Sequence, residues 1–305
     1  LNISVVPRMM NFDETIGMIS NRNNDILFYS NGIYIANALD DTMQNGSGLN
    51  PSAFTSSRFN YGLLLPQGNL VIPFPNDSMK YYLFHETLEI TIPATTLFLY
   101  YSVIDMNLNG GLGAVTQKNA ILINDSLNSG KLTACKHANG RDWWIFAHKR
   151  TSTLMYKWLV TSTGIQGPWI DDLITYRTVT QSQNLFSQDG SKYACYDAYT
   201  DLDIWDFDRC SGVFSNQIHI AVNDSAVATG AAFSPSGRFL YLSSSSYIYQ
   251  FDLQASNVDS SRVTVGVWDS TTTQGFPANF FLMGLAPDGK IYVNAPNGVT
   301  VLHVI

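Results

Sequence analysis

The sequence is poor in charged residues and cysteines, and it has no long apolar run. Asp, Glu, Lys and Arg make up 13% of its 305 residues, about half the share usual in soluble domains. No stretch is long and apolar enough to cross a bilayer as a helix. No cluster of Lys and Arg offsets the net charge of −7, which argues against a nucleic-acid partner. Ser, Thr, Asn, Gln and Tyr must supply the polar surface, a makeup common in extracellular β proteins.

The cysteines are too few for a disulfide framework. The chain has three, Cys135, Cys195 and Cys210. Cys195 and Cys210 would pair if neighbouring strands placed them side by side. Buried free thiols are the alternative, and we expect them over a disulfide.

Linear signatures of several enzyme classes are also missing. The histidines never show metal-binding spacing such as His-x-x-x-His. There is no Gly-x-Ser-x-Gly elbow, phosphate loop, dinucleotide-binding fingerprint or sialidase-type Asp-box. The sequence therefore predicts no cofactor, no metal and no catalytic residue. It favours a non-enzymatic protein without deciding the question.

A repeated three-strand unit is present instead. Ala232–Asp252 predicts three short strands, and the first two are joined by a turn at Pro235-Ser236-Gly237. Pro235 sets φ at the first corner, and Gly237 accepts the positive φ that closes the hairpin. Glycines in equivalent turns recur about every fifty residues, at Gly140, Gly190 and Gly289.

Two weaker copies of this unit lie nearer the start of the chain, at Asn21–Asn24 and Pro75–Ser78. No segment has a convincing helical period, and turn residues interrupt the chain every ten residues or so. Six copies with three or four short strands each predict an all-β fold, a β-propeller. We expect residues 1–305 to form a single propeller domain with six recognisable blades, or seven in a longer chain.

The ends of the chain leave two alternatives for closing the ring. The last copy stops at Ile305 without a fourth strand, and residues 2–10 precede the first strand of the first copy, Glu14–Ser20. Either Ile3–Val6 completes the last blade and covers its exposed edge, or the chain is truncated. The first residue is Leu1, which is typical of a processed or partial chain.

Four segments resemble those of one known family. They are Asp25–Gly32, Leu99–Gly113, Lys131–Trp144 and Asp206–Gly212. In amino-acid sequence and in their order along the chain, they resemble the WD40-like, or YVTN-like, β-propeller regions of secreted surface proteins of Bacteroidota. The resemblance implies type IX secretion, an extracellular or cell-surface location, and a chain that continues past Ile305. It brings no established activity and no agreed binding residues.

The strongest polar cluster occupies one of the repeat turns. Its aromatic and polar side chains would suit a glycan, through stacking and hydrogen bonds. The alternative, which its position in the repeat favours, is an ordinary turn with the tryptophans packed between blades. The candidate binding residues are His137, Asn139, Arg141, Asp142, Trp143 and Trp144.

Four carboxylates cluster at Asp201, Asp203, Asp206 and Asp208. Paired carboxylates can hydrolyse glycosides, and Asp-x-Asp spacing can contribute to a Ca²⁺ site. Because Asp206 and Asp208 share one face of a predicted strand, we expect structural or solvated roles for the cluster.

Five predicted loops contain Asp followed by a hydroxyl residue and then a small, apolar or Thr residue. This pattern resembles the O-glycosylation sequon of exported Bacteroidota proteins, and a loop can accommodate a glycan. Ordinary turn chemistry is the alternative. The candidate acceptors are Thr42, Ser78, Ser126, Ser225 and Ser270.

The predicted function is a non-enzymatic binding or scaffold module of an exported bacterial surface protein. It would present propeller loops to a protein or glycan partner. One alternative is a self-assembling subunit of a surface fibre or appendage. Another is a glycan-active hydrolase or lyase on a propeller scaffold, which should show convergent carboxylates, His or Arg in a pocket.

Overall fold

The computed structural model describes residues 7–177, 182–224, 226, 228–296, 299 and 301–305. Strands account for 55% and helices for 4% of the chain, so the prediction of an all-β fold is confirmed. The chain divides into two compact units. Unit 1 comprises Leu1–Ala134 and Asn139–Asp172, and unit 2 comprises Cys135–Ala138 and Leu173–Ile305.

Eight strands of unit 1 form one sheet. They are β1 (Gly17–Ser20), β2 (Ile26–Ser30), β3 (Tyr34–Asn37), β4 (Thr42–Ser47), β5 (Asn69–Phe74), β6 (Asp77–Glu86), β7 (Thr96–Asp105) and β8 (Ala114–Leu127). β1–β4 and β5–β8 are each an antiparallel meander. The two meanders join where β4 runs parallel to β8, with Gln44 opposite Ala114. The sheet therefore consists of two copies of the four-strand unit.

Two short helical segments interrupt this sheet. The helix α1 (Ala53–Ser57) follows β4, and the side chain of Ser52 caps it by accepting a hydrogen bond from the Thr55 amide at 3.0 Å. A 3-10 turn at Asn109–Gly111 connects β7 to β8. The sequence pattern predicts neither segment, because each is too short to show a helical period.

The next sheet has the strand order β12-β11-β10-β9. Its strands are β9 (Thr133–Lys136), β10 (Trp143–His148), β11 (Ser152–Thr161) and β12 (Gly164–Arg177). β10 and β11 lie wholly in unit 1 and pair antiparallel, with Trp143 opposite Val160.

The described residues of unit 2 form two further four-stranded meanders and two smaller sheets. The first meander is β13 (Gln183–Phe186), β14 (Lys192–Asp197), β15 (Asp201–Asp208) and β16 (Val213–Ile220). The second is β17 (Thr229–Phe233), β18 (Phe239–Ser244), β19 (Tyr247–Asp252) and β20 (Val263–Val267). A 3-10 turn at Asp259–Ser261 connects β19 to β20. The smaller sheets are β21 (Thr272–Thr273) with β22 (Phe276–Pro277), and β23 (Met283–Leu285), β24 (Ile291–Val293) and β25 (His303–Val304).

The repeat turns adopt the predicted geometry. Gly237 has a φ of 70°, and its amide donates to the carbonyl oxygen of Ser234 at 2.9 Å. The equivalent glycines Gly140, Gly190 and Gly289 have φ values between 72° and 80°, a region that favours glycine. The three strands predicted within Ala232–Asp252 are therefore confirmed.

The core of unit 2 lies between its two four-stranded meanders. Tyr196 and Leu202 of the β14–β15 hairpin pack with Phe233, Leu242 and Phe251 of the next sheet, and all five are at most 2% exposed. Each such side chain contributes about 1.5–3 kcal/mol by its burial. This core anchors the β14–β15 hairpin, which carries the candidate active site described below.

Some predictions fall outside what the structure describes. Ile3–Val6, the predicted closing strand, lies outside the described residues, and the number of blades stays a prediction. No helix in the described ranges is long and apolar enough to span a membrane. The cysteines are free, as expected, although only Cys135 and Cys195 are buried, while Cys210 is exposed.

Candidate active site

The candidate active site lies where β14 turns into β15. Asp197 and Asp201 face each other at the end of this hairpin. Asp201 has a φ of 64°, in the left-handed region that few residues other than Gly, Asn and Asp adopt. Its Oδ1 accepts a hydrogen bond from the amide of Val222 at 3.0 Å. The segment after β16 thus holds Asp201 in this conformation.

A cavity of about 350 Å³ opens between this hairpin and the segment after β16. Three aspartates line it, Asp197, Asp201 and Asp224, together with Tyr199. Asp224 accepts hydrogen bonds from the Ser244 hydroxyl through Oδ2 and from a backbone amide through Oδ1. The wall is therefore acidic, and its carboxylates are held in place by donors from the surrounding chain.

A histidine stands beside the cavity, oriented by a buried carboxylate. His219 on β16 faces Asp203 on β15, and its Nδ1 lies 3.0 Å from Asp203 Oδ1. Since a carboxylate oxygen only accepts hydrogen bonds, Nδ1 carries the hydrogen and Nε2 has a free lone pair. Gln217 Nε2 donates to the same oxygen at 2.8 Å. The Asp203 side chain is 0% exposed and that of His219 is 50% exposed.

The histidine also lies close to the cavity wall. His219 Nε2 is 3.9 Å from Oδ2 of Asp201, too far for a direct hydrogen bond. A water molecule can bond to both atoms. It would donate its two hydrogens to the two acceptors and leave its lone pairs for a substrate. The arrangement has the parts of a general base, since a proton acceptor is fixed by a second group and exposed to water.

The sequence pattern predicts only part of this site. The structural interpretation is confirmed for Asp206, which pairs with Lys192, and for Asp208, whose Oδ1 accepts the amide of Cys210 at 2.8 Å. It misses the contact of Asp203 with His219. Counting back antiparallel from the Cys210–Gly212 turn would pair Asp203 with Ile218. A register shift between Ile204 and Asp206 places His219 opposite Asp203 instead.

The polar cluster at 137–144 forms a hydrogen-bonded turn. Asn139 Oδ1 accepts from the backbone amides of Arg141 and Asp142, both at 3.0 Å. Arg141 and Asp142 form an ion pair with Nε 2.7 Å from Oδ1. The structure therefore brings these three together as an Asx-type turn.

The remaining members of that cluster are spread over both units. His137 belongs to unit 2, where its Nε2 lies 3.0 Å from the carbonyl oxygen of Cys210. Trp144 is 5% exposed and meets Trp169 edge to face, with ring centroids 6.1 Å apart. Trp143 is half-buried. Glycan binding at the six residues stays a prediction, and Trp144 offers little surface for it.

The candidate glycosylation sites differ in exposure. Thr42, Ser78 and Ser270 are exposed, and Ser126 is half-buried. Ser225 lies outside the described residues. Modification of these hydroxyls stays a prediction. In the part of the chain that the structure describes, no group of three or more His, Cys, Asp or Glu side chains could hold a metal ion.

Comparisons with known proteins identify the fold rather than a family. No family model matches the sequence, and no curated protein matches it significantly. The chain is similar to the structure of luciferin-regenerating enzyme, with a TM-score of 0.51 and 11% identity over 93% of this chain and 84% of that one. Weaker similarity links it to the Dos1 propeller (TM-score 0.46, 12% identity, 91% and 58% covered). A gluconolactonase of Xanthomonas campestris scores the same (TM-score 0.46, 12% identity, 95% and 86% covered).

These similarities correct the predicted function. The prediction of a non-enzymatic binding or scaffold module is contradicted by the fold similarity to luciferin-regenerating enzyme, a protein named as an enzyme. The alternative of a glycan-active hydrolase or lyase on a propeller scaffold agrees better with this similarity than the main prediction does. The sequence favours a non-enzymatic protein because it contains none of the linear catalytic motifs of the enzyme classes named above. Asp203 and His219 of the candidate site meet only through the pairing of β15 with β16.

Proposed function

We propose that this chain is a hydrolase on a β-propeller scaffold, with His219 as its general base. The observation that carries the proposal is the 3.0 Å hydrogen bond from His219 to the buried Asp203, beside the acidic cavity. The recurring four-stranded antiparallel meanders support a propeller, with each meander as one blade. The fold similarity to luciferin-regenerating enzyme supports the same scaffold.

In the proposed reaction, His219 activates a water molecule held between its Nε2 and Asp201. The water oxygen bonds to the electrophilic carbon of the substrate while His219 accepts its proton. Asp203 stabilises the resulting imidazolium and keeps the ring in place. The bond to the leaving oxygen then breaks, and the proton passes from His219 to that oxygen. A positioned acid–base group of this kind accelerates a reaction about 10²–10⁴-fold.

The cavity favours a neutral, hydroxyl-rich substrate. The carboxylates of Asp197, Asp201 and Asp224 line it and would repel a phosphate or carboxylate group. The same oxygens accept hydrogen bonds from sugar hydroxyls. Tyr199, which is 71% exposed and lines the cavity, offers an aromatic face for a sugar ring. We therefore infer a neutral glycoside or sugar lactone as the substrate class.

The experiment is a hydrolysis screen of the purified chain. Neutral aryl glycosides, sugar lactones and aryl esters are assayed beside glucuronides and 6-phosphoglycosides. We expect turnover of a neutral compound and at least about tenfold less with its anionic counterpart. His219→Gln should lower kcat by about 100-fold or more, whereas His137→Gln should leave it unchanged. Absence of turnover throughout the panel, or equal rates for wild type and His219→Gln, would contradict the proposal.

We also propose that the protein is exported to the cell surface and O-glycosylated. The family resemblance supports this, as does the exposure of Thr42, Ser78 and Ser270. Intact-mass and peptide mass spectrometry of native material is the test. We expect glycan mass on these hydroxyls, and an unmodified mass would count against the proposal.

A further inference from the structure

We infer that unit 1 carries a second, separate binding site for a neutral oligosaccharide, in a cavity beside the β3–β4 hairpin. The cavity measures about 580 Å³, within the range of small-molecule sites, about 300–1,000 Å³. Tyr34, Thr42 and Ser47 of the hairpin form one wall, and Phe59 and Asn60 after α1 form another. The site does not depend on the proposed hydrolase activity, whose residues lie in unit 2.

Polar side chains in these walls have hydrogen-bonding groups to spare. Tyr34 and Ser47 face each other across the two strands. Within the described ranges, the hydroxyls of Tyr34, Thr42 and Ser47 and the side-chain amide of Asn60 make no hydrogen bond. Burial raises the pKa of Tyr34, so its phenol stays protonated as a donor near neutral pH. Hydroxyls and amides both donate and accept, as the hydroxyls of a sugar require.

The charge of the walls indicates a neutral ligand. None of the described residues that line the cavity is ionisable to a charged form near neutral pH. The neighbouring Asp40 is already engaged, since it pairs with Arg8 and accepts a hydrogen bond from the Tyr29 hydroxyl at 2.7 Å. An anionic or cationic ligand would therefore leave its charge unpaired in the cavity.

An exposed aromatic ring gives the cavity its apolar surface. Phe59 lies next to polar wall residues and is 66% exposed. Burying such a ring against an apolar surface of a ligand is favourable. The apolar face of a pyranose can cover the ring while its hydroxyls bond to the surrounding amides and hydroxyls. A saccharide satisfies both parts of the wall at once.

The walls are held in position before any ligand binds. Asn31, which is 1% exposed, donates through Nδ2 to the carbonyl oxygen of Asn11 at 2.8 Å. Asn11 in turn donates through Nδ2 to the carbonyl oxygen of Asn60 at 2.9 Å. This chain of bonds fixes the segment that carries Phe59 and Asn60. Such preorganisation reduces the entropy lost on binding.

Isothermal titration calorimetry tests the site with neutral hexasaccharides of glucose, xylose and mannose. An oligogalacturonate of the same length is the charged probe. The His219→Gln chain is used, so that hydrolysis does not consume the probes and the two proposals fail independently. The chain is produced without glycosylation, because a glycan on Thr42 would occupy the same cavity. We expect at least one neutral probe to bind, and the charged probe to bind about tenfold more weakly or not at all.

A matched pair of aromatic substitutions locates the binding. Phe59→Ala should weaken binding of the neutral probe about tenfold, as expected for loss of a stacking face. Tyr61→Ala removes a ring that is 59% exposed two residues further on but does not line the cavity, so the affinity should not change. Absence of binding by every neutral probe, equal effects of the two substitutions, or tighter binding of the oligogalacturonate would overturn the inference.

Discussion

Nδ1 of His219 lies 3.0 Å from Oδ1 of Asp203, and the two residues face each other across the β15–β16 pair. The carboxylate is buried and the imidazole is half-exposed. The buried group therefore determines which nitrogen carries the hydrogen, and the exposed nitrogen is left to accept a proton. The proposed chemistry depends on this relationship.

Asp203→Asn tests the orienting role of the carboxylate. The amide is uncharged and would no longer stabilise an imidazolium at His219. We expect kcat on the best substrate to fall about 100-fold or more, with little change in KM. Asp206→Asn is the control, since Asp206 lies on the same strand but pairs with Lys192. Equal losses in the two variants would show that the role of Asp203 is structural.

Glu86→Gln should stabilise the protein more at pH 8 than at pH 5. Glu86 is 1% exposed, and burial raises its pKa from 4.5 to about 8. Folding therefore requires the protonated carboxyl, and its contribution to stability is lost as the pH rises from 4.5 through about 8. The amide of Gln does not ionise, so the variant lacks this pH dependence. At about 1.4 kcal/mol per pKa unit, the shift corresponds to a few kcal/mol of unfolding free energy. Thermal unfolding at both pH values is the measurement, and an identical shift in Tm at both would contradict it.

His85 should produce the opposite pH dependence. Its Nδ1 lies 2.8 Å from Asn50 Oδ1 and its Nε2 lies 2.9 Å from Ser102 Oγ. Burial lowers the pKa from 6.5 to about 3. The stability from this neutral ring is present above pH 6.5 and is lost as the pH falls toward 3. Urea unfolding gives the free energy of unfolding at each pH. Between pH 4 and 6.5 this free energy should rise less steeply with pH in His85→Gln than in the wild type. An unchanged slope, or the same flattening in His137→Gln, would argue against this assignment.

Gly230→Ala should be strongly destabilising. A Cβ on Gly230 would lie 2.2 Å from the carbonyl oxygen of Phe281, so β17 or the segment before β23 must move. Overpacking of this kind typically costs about 1–3 kcal/mol. Gly284→Ala is the control, because nothing lies within 4 Å of a Cβ there. Chemical denaturation compares the two, and equal stabilities would contradict the close packing at Gly230.

Local turn chemistry made much of the strand order predictable. The sequence predicts strands at 192–196 and 203–207, and the structure has Lys192–Asp197 and Asp201–Asp208. The turn before the first of these strands, with Gly190 at a φ of 72°, specifies the hairpin that leads into it without reference to the rest of the fold. The helix α1 was not predicted, because five residues capped by Ser52 leave no periodic pattern.

The candidate site was harder to predict because it depends on register. A shift in the β15–β16 pairing between Ile204 and Asp206 changes which residues face each other on the two sides of that point. The turn residues alone do not reveal such a shift. The burial of Asp203 also depends on packing between sheets. The sequence pattern therefore identifies the aspartates but not His219, which contacts Asp203 and lies close to Asp201.

Chemical rescue tests the central claim most directly. His219→Ala removes the imidazole from a half-exposed position, and added imidazole can diffuse to the same place. The account predicts that His219→Ala loses at least about 100-fold in kcat and that imidazole restores activity in proportion to its free-base concentration. The inactive Asp203→Asn variant, which keeps its own ring, should not respond. Full activity of His219→Ala, or a loss that imidazole leaves unchanged, would contradict the assignment of His219 as the general base.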